Sequence, residues 1–90
     1  MDKLVEGQLV EVTIDKAWYF GVVTEIFDDM YYIITENNHR VMKHNKEKMD
    51  QKEIEDTLIE NSYVRPLLKD GKPVMAKKKL FGGYKFEAKD

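Results

Sequence analysis

The sequence contains no cysteine, and this absence excludes three kinds of chemistry at once. Without thiols the chain cannot form a disulfide framework, a thiolate zinc site or a cysteine nucleophile. The absence also agrees with a reducing compartment, where disulfides are rare. We therefore expect the fold to be stabilised by packing alone.

Long apolar runs are also missing. No stretch approaches the roughly 18 apolar residues that a spanning helix needs, and residues 1–6 do not begin an apolar segment of the kind that marks a signal peptide. We expect a soluble, cytoplasmic protein without a membrane partner.

The motifs that carry catalysis are absent as well. No glycine-rich phosphate motif is present, and the two histidines, His39 and His44, are five residues apart on or beside one predicted strand. Such odd spacing directs side chains to opposite faces, which disfavours a shared metal site. The acidic pairs at 28–29 and 55–56 are typical of a turn and a helix surface. We expect no enzymatic activity, no metal and no cofactor.

The net charge of −2 conceals an asymmetry. Residues 1–68 contain 8 basic and 14 acidic residues, whereas residues 69–90 contain 7 lysines and 3 acidic residues. Because an acidic body repels phosphate backbones, any contact with nucleic acid would use the basic tail. The tail interleaves lysines with aromatic residues, and the candidate contacts are Lys77, Lys78, Lys79, Tyr84 and Lys85.

Period-two alternation and β-branched or aromatic residues predict a mainly β protein. The predicted strands cover residues 7–14, 18–27, 30–35, 39–44 and 62–66, and the first four form a meander. Asp50 and Glu53 resemble a capping box, so a short helix is predicted at 50–59. Asp70-Gly71 and Gly82-Gly83 predict two hairpin turns in the tail. The domain would comprise residues 1–68, with residues 69–90 packed on it as a basic hairpin or arm.

Several spaced motifs between residues 7 and 66 follow one known pattern. A glycine precedes an alternating valine strand, an aromatic pair precedes a small residue and valines, and the segment closes on a Val-Arg-Pro sequence; these are Gly7, Val10, Val12, Trp18, Tyr19, Gly21, Val22, Val23 and residues 64–66. This pattern resembles the Tudor and Agenet branch of SH3-like barrels. The resemblance implies a small SH3-like barrel, here with a helical insertion and a C-terminal β-hairpin extension.

Members of that family bind methylated lysine or arginine in an aromatic cage, in which ring faces attract the cation. The resemblance places Trp18 and Tyr19 at two cage positions. Ile34 and Asn37 stand where further aromatic residues are expected, and Tyr31 and Tyr32 lie two or three positions early. The resemblance therefore supports the fold more strongly than the ligand, since a fold does not determine a function.

The chain has ten aromatic rings, more than a barrel of this size can enclose. If Gly21 and Val23 point inward, then Trp18, Phe20 and Val22 lie outside and need a cover. The helix and the tail are one candidate cover. Otherwise an apolar patch remains of the kind that marks an interaction site.

The leading hypothesis is a non-enzymatic module that binds a protein or peptide through an aromatic surface patch. The predicted recognition residues are Trp18, Tyr19, Phe20, Tyr31, Tyr32, Asn37, Asn38 and His39. One alternative is a small phage-type effector or inhibitor that blocks a host enzyme or defence complex. A further alternative is a nucleic-acid-binding barrel that uses the lysine-rich tail, and a homodimer is compatible with each.

Overall fold

The computed structural model describes residues 4–44 and 62–89, and this part of the chain is built from antiparallel β-strands. The strands are Leu9–Ile14 (β1), Ala17–Phe27 (β2), Met30–Thr35 (β3), Arg40–His44 (β4), Ser62–Pro66 (β5), Leu68–Lys69 (β6), Lys72–Pro73 (β7), Ala76–Lys78 (β8) and Tyr84–Ala88 (β9). The mainly β prediction is confirmed, and the helix predicted at 50–59 lies outside the described residues. Among the described residues, no helix has the length and apolar character needed to cross a membrane.

Five strands form one curled sheet, a half-barrel with the order β4-β3-β2-β1-β5. Two-residue turns connect β1 to β2 and β2 to β3, and three of their four residues are aspartates, which tolerate the left-handed backbone that such turns require. The β1–β2 and β2–β3 loops each have two residues of positive φ, Asp15 and Lys16 in the first, Asp28 and Asp29 in the second. Two consecutive positive φ values match the twist of the flanking strands. The meander predicted for the first four strands is confirmed.

The inner face of the half-barrel carries the main core. Alternate residues of each strand meet there, and the cluster consists of Leu4, Val10, Val12, Ile14, Val23, Tyr31, Ile33, Val41 and Val64. Gly21 lies in the middle of this face, where an added Cβ would be 3.0 Å from methyl groups of both Val12 and Ile33. The Val12 and Ile33 side chains occupy the space that a side chain at this position would need. Glycine therefore allows the three strands to pack closely.

The outer face is covered in part by a second core. Leu9, Val22 and Ala76 are buried there, and the partly buried residues packed against them are Leu67, Val74, Tyr84 and Phe86. Backbone hydrogen bonds fix this cover, because Leu9 N donates to Val74 O at 2.8 Å and Ala76 N donates to Gly7 O at 2.8 Å. The β8–β9 hairpin is therefore docked on the sheet, and Val22 has the cover that its position requires.

Two local predictions were wrong. Strict alternation over the predicted strand 18–27 would place Ile26 on the same face as Trp18. The pairing with β3 instead shifts between Val23 and Glu25, so Ile26 lies opposite the buried Tyr31 of the inner face. Thr24 marks this bulge and its hydroxyl donates to Tyr32 O at 3.1 Å; a bulge inserts one residue and reverses the faces beyond it.

The second error concerns the last hairpin. A two-residue Gly82-Gly83 turn would place Phe81 opposite Tyr84, whereas the structure pairs Lys78 with Tyr84. The loop is longer because Lys79 and Gly83 close it through a backbone hydrogen bond of 3.0 Å. The first tail hairpin is confirmed, since β6 and β7 pair across Asp70 and Gly71.

Candidate functional site

The part of the outer face that no described segment covers carries a row of aromatic residues. Trp18 on β2 pairs with Thr13 on β1, and Thr13 pairs with Tyr63 on β5, so the three side chains share one face. Trp18 is 56% exposed and Tyr63 is 70% exposed. The two rings lie on strands separated by one other strand, a span of about 10 Å.

A second row lies beside the first. Phe20, Glu11 and Arg65 are cross-strand partners, and the Arg65 guanidinium is 3.8 Å from the Glu11 carboxylate. The Phe20 ring packs edge to face against Trp18, with 5.2 Å between ring centroids. We call the surface formed by Trp18, Phe20, Tyr63, Thr13, Glu11 and Arg65 the outer aromatic patch.

The backbone beneath the patch is held in place. Phe20 N donates to the Glu36 carboxylate at 3.0 Å, and Glu36 N donates to Phe20 O at 2.9 Å. The patch residues also lie inside paired strands, so their positions are set by the sheet. Rigid presentation reduces the ordering cost of binding, which favours recognition by such a surface.

Trp18 and Tyr19 do not converge on one site. They are consecutive residues of a strand and project to opposite faces; Tyr19 pairs with the buried Val12 and packs against the inner core. Its ring lies 6.1 Å from the His39 ring at the end of the sheet. Two rings on opposite faces of a sheet cannot enclose one cation, so the cage positions implied by the resemblance do not form a cage here.

Tyr31 and Tyr32 also separate. Tyr31 is only 2% exposed, and its hydroxyl accepts a hydrogen bond from Leu4 N at 3.0 Å. It is a core residue that anchors the N-terminal segment, and its assignment to the recognition surface is corrected. Tyr32 lies on the outer face opposite Glu25 and Met42, towards the β4 edge and away from β1 and β5.

Residues Asn37, Asn38 and His39 form the β3–β4 turn. The Thr35 hydroxyl bonds with the Asn37 side chain and accepts from His39 N at 2.9 Å, while Asn38 has a φ of 69°. Side-chain hydrogen bonds and a positive φ are typical of asparagine in turns, so the need to form this turn accounts for Asn37 and Asn38. The turn adjoins Tyr19 at the end of the sheet and lies apart from the outer aromatic patch.

Tyr63 and Arg65 were missed by the sequence reasoning, although a signal for them was present. Val64 is apolar and faces the core, so both neighbours on β5 face outward by alternation. What the sequence did not reveal was the pairing of β5 with β1, which brings Tyr63 into line with Trp18.

The predicted nucleic-acid residues lie on the C-terminal hairpin. Lys77 approaches the Glu87 carboxylate at 3.6 Å, Tyr84 is half-buried in the second core, and Lys78, Lys79 and Lys85 are exposed. An open groove of about 660 Å³ runs past this hairpin; its lining consists of Glu6, Gly7, Met75, Ala76, Lys77, Lys78, Tyr84 and Lys89.

Within residues 4–44 and 62–89, no three or more His, Asp or Glu side chains come close enough together to hold a metal ion. Burial lowers the pKa of Lys43, which lies on the inner face. Comparison with known proteins found no matching family model, curated protein or solved structure.

Proposed function

We propose that this protein is a non-enzymatic binding module that recognises a protein partner through the outer aromatic patch. The single observation that carries the proposal is that Trp18 and Tyr63 are exposed on the same face of the sheet as Phe20. On that face Val22, by contrast, is fully buried. The curled sheet of five antiparallel strands supports an SH3-like, Tudor-like barrel as the scaffold.

The residue types of the patch support protein recognition. Tryptophan, tyrosine and arginine are the residues most enriched among interface positions that dominate binding energy. Each has a large apolar body and a polar group that bonds at a partly wet surface. The Glu11–Arg65 pair is exposed on the arginine side and contributes little to stability. The pair is therefore available to exchange partners with a bound protein.

The charge of the body favours a basic partner surface. Residues 1–68 carry six more acidic than basic residues, and complementary fields increase association rates and select partners. A patch of rings within an acidic body fits an apolar pocket rimmed by lysine or arginine. The inhibitor alternative uses the same surface, since such a body could occupy a basic nucleic-acid-binding face of a host protein.

The test compares Trp18→Ser and Tyr63→Ser with Phe27→Ser as the control. Phe27 is a 63% exposed aromatic residue at the end of the same strand as Trp18, outside the patch. A pull-down with the full chain first supplies a partner, which is then purified and titrated. We expect each patch variant to weaken binding by about 30-fold or more, in line with a dominant interface residue, and the control to bind normally.

Wild-type affinity in both patch variants, with their fold intact by circular dichroism, would contradict the proposal. The partner's own activity distinguishes an inhibitor from a docking module. If the partner has an enzymatic or nucleic-acid-binding activity, saturating protein should abolish that activity, whereas a docking module should leave it unchanged.

A further inference from the structure

The apex of the β8–β9 hairpin exposes two adjacent apolar side chains. Lys79 N donates to Gly83 O at 3.0 Å and Gly82 N donates to Lys79 O at 3.4 Å, which closes the loop below its apex. Leu80 and Phe81 remain at the apex, 89% and 96% exposed. Of the large apolar side chains in the described residues, these two are the most exposed.

The apex is convex. A Cβ added to Gly82 would meet no atom within 4 Å, so open space surrounds the loop next to Phe81. A groove cannot form around two side chains that project outward from a turn. The partner must therefore surround Leu80 and Phe81 with apolar groups, either in a deep pocket or in a fluid apolar layer.

Lysines flank the apex on both sides. Residues 77–85 contain four lysines and no acidic residue, and Lys78, Lys79 and Lys85 are exposed. The rest of the chain has a net negative charge. An excess of positive charge therefore lies next to the two most exposed large apolar residues of the described part of the chain. Apolar residues flanked by cations complement a partner with an anionic surface above an apolar interior.

We propose that this hairpin apex is a peripheral membrane contact, in which Leu80 and Phe81 enter the interface of a bilayer and the flanking lysines pair with anionic lipid headgroups. A bilayer has both required layers, and interfacial insertion needs an apolar depth of only about 5–10 Å. The expectation of no membrane partner was based on missing spanning and signal segments, which an inserting loop does not need. The acidic body directs the apex towards the bilayer, because it is repelled by the same headgroups.

The geometry favours lipid over nucleic acid at this site. Single-stranded nucleic acid is bound by aromatic rings arranged along a groove, where successive bases stack. The apex has one exposed ring, and its neighbour Leu80 is aliphatic. Tyr84, the other aromatic residue of this segment, is half-buried against the sheet and lies below the loop.

The test uses the full chain and cosedimentation with vesicles at low salt. One set of vesicles contains phosphatidylcholine alone, and the other contains about one third phosphatidylserine, so that the charge requirement is isolated. We expect binding to the anionic set only. The double variant Leu80→Ser/Phe81→Ser should bind at least about tenfold more weakly, and Lys78→Gln/Lys79→Gln about 25-fold more weakly, at about fivefold for each lysine.

Matched controls lie on the neighbouring β6–β7 hairpin, where Leu68 is an exposed apolar residue and Lys69 and Lys72 are exposed lysines. Leu68→Ser and Lys69→Gln/Lys72→Gln should each keep more of the vesicle binding than the corresponding apex variant. Equal losses in apex and control variants would show adsorption by general charge and would overturn the proposal.

Three other outcomes would also overturn it. The first is no binding of the wild type to anionic vesicles at low salt. The second is tighter binding to a mixed single-stranded oligonucleotide, lost in Lys78→Gln/Lys79→Gln. The third is a wild-type oligomer that Leu80→Ser/Phe81→Ser converts to a monomer. That result would show that a second copy of the chain, and not a bilayer, covers the apex. The apex variants should keep the partner binding of the outer aromatic patch, so the two proposals fail independently.

Discussion

At the scale of single residues, the position of each aromatic residue along its strand decides whether its ring packs in the core or lies on the surface. Trp18 and Tyr19 are neighbours in sequence, yet one is on the surface and the other packs on the core. Tyr31 and Tyr32 divide in the same way. Consecutive strand residues face opposite sides, so two rings that are adjacent in the sequence of a strand do not contribute to the same surface.

Among the described residues, Lys43 has a pKa that burial shifts, so its ionisation is coupled to folding. It lies opposite Tyr31 on the inner face, and burial lowers its pKa below 10.5 in the folded state. The unfolded chain therefore binds more protons between the folded and unfolded pKa values, and the free energy of unfolding rises with pH across that interval. Below the folded pKa the charged lysine destabilises the fold.

Replacing this lysine tests the sign of that effect. We expect Lys43→Met to unfold at higher denaturant concentration than the wild type at pH 7, and the difference to shrink as the pH approaches 10.5. Chemical denaturation at several pH values measures it. The control is Lys69→Met, which makes the same replacement at an exposed lysine. A difference that grows with pH would contradict this assignment.

At the scale of elements, β2 is a strand with a core on each side. Val22 and Val23 are both 0% exposed, but Val23 belongs to the inner core and Val22 to the core beneath the C-terminal hairpin. If the hairpin is a stable part of the fold, Val22→Ala and Val23→Ala should each lower the free energy of unfolding by about 1–3 kcal/mol.

Urea denaturation of the two variants measures this, with Val5→Ala as an exposed reference that should change stability by less than about 0.5 kcal/mol. A loose hairpin would leave Val22 close to solvent in solution. In that case Val22→Ala would behave like the reference while Val23→Ala would not, and the docked hairpin would be refuted.

Several turns of this chain were predictable from residue type, whereas the irregularities were not. Asp28-Asp29 and Asp70-Gly71 were identified as turns because few other residues accept the required backbone, and both have positive φ. The bulge at Thr24 has no such signature, since a threonine in a β-branched run looks like an ordinary strand residue. The five-residue loop at 79–83 was read as two residues because the two glycines suggested the tighter turn.

The candidate site was likewise predictable in part from the sequence. Alternation along β2 placed Trp18 and Phe20 on the outer face, and it also indicated that Val22 needed a cover. Tyr63 could be placed beside Trp18 only once β5 was paired with β1. Such pairing joins residues about 50 positions apart, and local patterns carry no information on which distant strands meet.

At the scale of the whole molecule, the described residues divide the outer face of the sheet between a core and a row of exposed side chains. The C-terminal segment covers Leu9 and Val22 and leaves Trp18 and Tyr63 exposed. The charge is divided as well, between an acidic body and a basic hairpin with an apolar apex. We propose two contacts on this basis, one with a protein through the patch and one with a bilayer through the apex.

Trp18 is the only tryptophan of the chain, so its fluorescence reports on the patch directly. The measurement is acrylamide quenching of Trp18 in the free protein and in its complex with the purified partner from the pull-down. Because the side chain is 56% exposed, we expect strong quenching when free, and strong protection with a blue-shifted emission in the complex. Equal quenching in both states, at saturating partner, would contradict recognition through the outer aromatic patch.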